Sequence, residues 1–97
     1  MKDSRKVMDM DNAFPEMGLG WYRLRYDLSV REGAGLNYPR KNCWFSESVP
    51  PGMLPAGSMV KVLEIKYLSV SVWGRIPEGW ICMYMSRTAY VGRQTRG

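Results

Sequence analysis

The chain contains no histidine, so the commonest general base and the commonest metal ligand are both missing. Its two cysteines, Cys43 and Cys82, cannot complete a four-ligand zinc site without other donors, and carboxylates rarely complete a structural one. Ser58 and Lys61 do not form a Ser-Lys pair, because their spacing on an alternating strand puts them on opposite faces. There is no run of about 20 apolar residues to span a membrane, and residues 1–12 hold no apolar stretch of signal-peptide length. No cluster of five or six Lys/Arg marks a dedicated nucleic-acid arm. These absences predict a non-enzymatic protein without metal or cofactor. They also predict a chain that is cytoplasmic as synthesised and keeps its thiols reduced.

What is present describes a small globular unit. Ninety-seven residues allow at most one domain, and 45% hydrophobic with 24% charged residues is close to the globular average, which excludes a disordered or collagen-like chain. The formal charge of +5 is uneven. Residues 1–16 carry a net −1, whereas Arg87, Arg93 and Arg96 near the other end face no acid. A modest positive field favours polyanionic partners without choosing among them, and scattered basic residues of this kind are ordinarily a solvated surface. Cys43 beside Trp44 and Phe45, and Cys82 in an apolar run, both read as free thiols.

Residues 1–18 are polar, Met-rich and non-periodic, and are expected to be a flexible tail. From Trp21 onward, short alternating runs are punctuated by Gly and Pro, and no window of 12 residues holds a helical stripe. Tyr22, Leu24, Tyr26 and Leu28 share one face of the first run, which continues through Val30 to the Gly33-Ala34-Gly35 reversal. Residues 40–57 hold a possible short strand at Cys43–Phe45, then Pro50, Pro51 and Pro55, which exclude a helix or a central strand. Met59–Lys66 is a strand whose apolar positions change face at Val62-Leu63, as a bulge would require. Leu68–Ile76 alternates, with Leu68, Val70, Val72 and Ile76 on one face and Ser69, Ser71, Trp73 and Arg75 on the other. Gly74 interrupts the inward face at a close approach. Trp80–Met83 makes the next strand, Met85–Ala89 a 3₁₀ turn, and Tyr90-Val91 a closing strand. The expected fold is all-β: a small SH3-like barrel of five or six short strands over 19–92, with a long insertion loop and a flexible tail at 93–97.

Three segments carry a resemblance. Leu28-Ser29-Val30-Arg31-Glu32-Gly33-Ala34-Gly35-Leu36-Asn37-Tyr38 resembles the Leu-Asn-Val-Arg-Ser-Gly-Pro-Gly-x-x-Tyr signature of bacterial SH3 (SH3b) domains. Leu54-Pro55-Ala56-Gly57 followed by Ser58–Glu64 is similar to that family's Leu-x-x-Gly and Val-x-Val strand. Trp73-Gly74-Arg75 with Gly79-Trp80-Ile81-Cys82-Met83 is similar to its Trp-Gly-Lys … Gly-Trp-Val hairpin. Ser29 and Ala34 depart from the usual Asn and Pro, residues 39–53 are about eight to ten residues longer than usual, and Tyr84–Val91 replaces a shorter ending.

The resemblance implies binding rather than catalysis, with bacterial cell-wall peptidoglycan stem or cross-bridge peptides as ligand. The residues fit an extended peptide held by aromatic platforms and carboxylate forks. The candidates are Tyr38, Trp44, Trp73, Trp80 and Tyr84 as platforms, with Arg31 and Arg75 as forks. Trp73 lies opposite the apolar face of its run and is expected to be exposed, whereas Trp80, Arg31 and Tyr38 have equally ordinary structural uses. Two further readings remain: an intracellular protein–protein interaction module, phage- or bacterium-encoded, that binds a host or virion protein, and a nucleic-acid binder using Arg23, Arg25, Arg87, Arg93 and Arg96.

Overall fold

The computed structural model describes residues 17–94 and is all-β. Most of the expected N-terminal tail and residues 95–97 lie outside the described residues. The described residues form nine short strands: β1 Gly20–Leu24, β2 Leu28–Ser29, β3 Met53–Leu54, β4 Met59–Val62, β5 Glu64–Tyr67, β6 Ser71–Ile76, β7 Gly79–Met85, β8 Thr88–Ala89 and β9 Val91–Arg93. All pair antiparallel, in three sheets ordered β4-β1-β9, β2-β3 and β5-β6-β7-β8.

The expected barrel does not form: none of the three sheets closes on itself. The ladder breaks wherever the chain turns from one sheet into the next. At Leu63, β4 ends and β5 begins, and only the Leu63 N–H, donating to the Arg75 carbonyl at 2.7 Å, spans the corner. Tyr90 does the same between β8 and β9, donating to Met83 O and accepting from Arg25 N. Arg31 exchanges backbone bonds with Trp80 in both directions, an isolated bridge in place of a strand. Isolated bonds of this kind, one or two at each junction, join sheet edges without making a continuous cylinder.

One apolar core holds the sheets together. Tyr22, Leu24, Leu28, Val30, Leu54, Val60, Val62, Ile76, Ile81, Met83 and Val91 are buried in one cluster, and Phe45 of the long loop packs against it. Gly74 meets this core where a side chain has no room: a Cβ there would stand 2.5 Å from Met83 Sδ and 3.1 Å from Val62 Cγ1.

The details depart from simple alternation in four places. The first run is two strands, because the chain bends at Asp27, whose Oδ1 accepts the Ala56 N–H at 2.8 Å, and Tyr26 is left exposed. Residues 68–70 are a turn, closed by Leu68 N to Ser71 O, so β6 begins at Ser71 and Val70 is exposed. Cys43–Phe45 is not a strand. Met85–Ala89 is a hairpin rather than a 3₁₀ turn: Ser86 and Arg87 connect β7 to β8 with φ of 54° and 64°. The end of the described chain is ordered into the sheet, with Gln94 N donating to Trp21 O and Arg93 Nη1 donating to Tyr22 Oη at 3.0 Å.

Candidate functional site

Alternation along β7 sends Ile81 and Met83 into the core and Trp80, Cys82 and Tyr84 to the opposite side. Cross-strand register adds Trp73 beside Cys82 and Arg75 beside Trp80, then Lys66 and Glu64 from β5. Four of the seven predicted site residues, Trp73, Arg75, Trp80 and Tyr84, therefore share one face of the four-stranded sheet.

That face has two parts. At the Trp80 end, Arg75 Nε donates to Glu64 Oε1 at 2.9 Å, and Lys66 Nζ stands 5.8 Å from the centre of the half-buried Trp80 ring. Arg75 is thus already engaged by a carboxylate of its own sheet, and its role as a free fork is reduced accordingly. At the Cys82 end lies a cleft of about 230 Å³. Trp73 and Cys82 form part of its lining, with Asp27, Ser29 and Arg31 from the β2 segment. Leu36, Met53, Met85 and Tyr90 supply apolar walls from four separate parts of the chain.

Trp73 corrects the expectation of exposure. It is 1% exposed, and its Nε1–H donates to Ser71 Oγ at 2.9 Å. Two facts explain this. β6 is an inner strand of its sheet and is covered on both sides, and a register shift between Val72 and Trp73 interrupts the alternation, so that both are buried. Trp73 therefore contributes wall rather than a surface platform.

Arg31 lies in the cleft lining, with Nη1 donating to Tyr38 O at 2.9 Å. Tyr38 itself lies outside the cleft. Its ring occupies the space above Gly33, where a Cβ would come within 2.6 Å of it, so that only glycine lets the loop close beneath the ring. Trp44 is 64% exposed on the long loop and does not line the cleft. Of the lining, sequence reasoning found Arg31 and Trp73; among the positions it missed, Leu36, Met53, Met85 and Tyr90 share no local periodicity. Only the tertiary fold gathers them.

Electrostatically the cleft is mixed. Asp27 and Arg31 bring opposite charges, with Ser29 between them in sequence. Burial pushes the Cys82 thiol up to about 11, an effect offset only in part by a backbone hydrogen bond at Tyr84 and by the charge of Arg31. A thiol so held is neutral near pH 7 and acts as a small apolar surface rather than a nucleophile. Among the described residues no group of three or more Cys, Asp or Glu could hold a metal ion. The arrangement can receive a small ligand carrying both charges and an apolar portion. The chain has no match among protein-family models, curated proteins or solved structures.

Proposed function

We propose that this protein is a non-catalytic binding module that takes a short peptide of the bacterial cell wall in the Trp73–Cys82 cleft. The observation that carries the reading is the placement of Arg31 and Asp27 in the lining of one apolar cleft. Arg31 suits the carboxylate of a peptide and Asp27 an ammonium, both of which wall stem peptides offer. The volume of about 230 Å³ is below the range of small-molecule pockets, roughly 300–1,000 Å³, and suits one or two side chains of an extended chain. Trp80, with Lys66 beside it, lies along the same sheet face as a platform for the residues that follow.

The resemblance to bacterial SH3 domains supports the same conclusion. Leu28, Ser29, Arg31 and Leu36 of the first matching segment, and Trp73 and Cys82 of the third, all line this cleft. Leu54 of the second segment pairs with Leu28. The test is an amide NMR titration of the labelled protein with soluble muropeptides. Shifts should concentrate on Ser29, Arg31, Leu36, Cys82 and Met85. Leu36→Ala should weaken binding several-fold with an otherwise unchanged spectrum, because Leu36 is 61% exposed. Absence of shifts at millimolar muropeptide, together with failure to co-sediment with sacculi, would overturn the proposal and favour a protein partner.

A further inference from the structure

The sheet β4-β1-β9 presents a second face, whose residues are distinct from those lining the cleft. Alternation in β1 buries Tyr22 and Leu24 and turns Trp21 and Arg23 outward. Lys61 is the register partner of Trp21 on β4, and Met59 is the partner of Arg23. On the other side Arg23 faces Gly92, and the Arg25 guanidinium lies over that glycine, 3.4 Å from where its Cβ would stand. Trp21 is 49% exposed. Thus one aromatic ring and three exposed cations occupy adjacent rows of a small sheet.

Among the described residues no carboxylate pairs with these cations. The five acids of the described residues, Asp27, Glu32, Glu47, Glu64 and Glu78, all lie outside β1, β4 and β9. The ion pairs among the described residues are Lys41–Glu32 and Arg75–Glu64, so Arg23, Arg25 and Lys61 are unpaired. Arg23 spends one N–H on the Gly57 carbonyl at 3.2 Å, which aims its guanidinium without neutralising it. A symmetric contact with a second copy of this chain does not fit the face, because it would set three cations against three.

We propose that this face binds single-stranded nucleic acid, with Trp21 stacking on a base and Arg23, Arg25 and Lys61 contacting phosphates. Arg23 and Arg25, two positions apart, are spaced about 6.8 Å along an extended strand. A row of cations beside a flat ring fits a linear ligand that alternates charge with flat groups, which is how sequence-tolerant single-strand binders work. This assignment is independent of the cleft and of the peptide proposed for it.

The test is fluorescence anisotropy with a labelled 12-nucleotide oligo(dT) and the full chain, over 50–300 mM salt. Three phosphate contacts at about −0.7 each give an expected slope of about −2 in log K against log salt. Lys61→Ala or Arg25→Ala should each reduce that slope by about 0.7. Trp21→Ala should weaken binding roughly 5- to 150-fold, and Trp21→Phe should restore most of it. Circular dichroism confirms that each variant folds. Three results would overturn the proposal: no binding at 50 mM salt; binding that Trp21→Ala leaves unchanged and inorganic polyphosphate matches; or Trp21-dependent binding to phosphatidylglycerol vesicles without binding to the oligonucleotide, which would make the face a membrane contact.

Discussion

Trp73 is the residue at which the packing makes its sharpest prediction. It is fully buried, and its indole N–H meets Ser71 Oγ, the hydroxyl of a residue only 4% exposed. Trp73→Ala should destabilise the domain by about 3–5 kcal/mol, through lost transfer energy and the cavity left behind. For a domain of this size each kcal/mol is worth roughly 4–8 °C, so the midpoint should fall by at least about 12 °C. The hydrogen bond can be separated from the bulk by a cycle of Trp73→Phe, Ser71→Ala and the double variant. Each single change strands a buried polar group, at about 1–3 kcal/mol, whereas the double change removes both. The sum of the singles should therefore exceed the double by about 1 kcal/mol. Urea unfolding followed by far-UV circular dichroism is the assay, because removing one of the four tryptophans changes the fluorescence signal itself. If Trp73→Ala unfolds within about 0.5 kcal/mol of wild type while ligand binding disappears, Trp73 is the surface platform that strict alternation predicts, and the burial reasoning is wrong.

Three further outcomes follow from local chemistry. Native protein at pH 8 treated with iodoacetamide should be labelled at exposed Cys43 and spared at Cys82, whose thiol, raised to about 11, is only about one part in a thousand ionised there; equal labelling rates would contradict this. Because the folded state keeps a proton that the unfolded chain releases above its ordinary value of 9.0, the stability difference between wild type and Cys82→Ala should be constant below pH 9 and decline as pH rises through 11, measured by urea midpoints across that range. The β7–β8 hairpin holds Ser86 and Arg87 both at positive φ, a geometry that prefers Asn-Gly, so Arg87→Gly should stabilise the protein by about 0.5–1 kcal/mol; a loss relative to Arg87→Ala would refute the strain.

The all-β class and much of the core were legible because the core is built by period-two alternation on strands with one covered face. Tyr22, Leu24, Leu28 and Val30 are buried as their spacing requires, and the change of face at Val62-Leu63 is the corner between β4 and β5. The failures have equally definite causes. Tyr26 follows the pattern but stands at a bend held by Asp27 and Ala56, a contact 29 positions apart that no local window contains. Trp73 departs from the pattern because alternation assigns one face of a strand to solvent, an assumption that an inner strand covered on both sides does not satisfy. Barrel closure was inferred from strand number and resemblance, yet closure depends on whether the ladder survives each corner. At Leu63 and Tyr90 it does not.

The same geometry limits what a single site on this protein can do. A strand in a one-sided sheet offers solvent only every second residue, so β1 has just Trp21 and Arg23 to present, with Arg25 beyond its end. β7 offers Trp80, Cys82 and Tyr84 on its outer side, and only because the β2 segment stands beside it does that row acquire Arg31 and become a cleft. The two faces share no residue, and they belong to sheets joined by isolated backbone bonds across a common core. Arg25 N donates to the carbonyl of Tyr90, a cleft-lining residue, so a change at Arg25 sits one backbone bond from the cleft, whereas a change at Trp21 or Lys61 reaches it only through core packing. A substitution at Trp21 that altered peptide binding would point to a shift of that core rather than to a shared ligand.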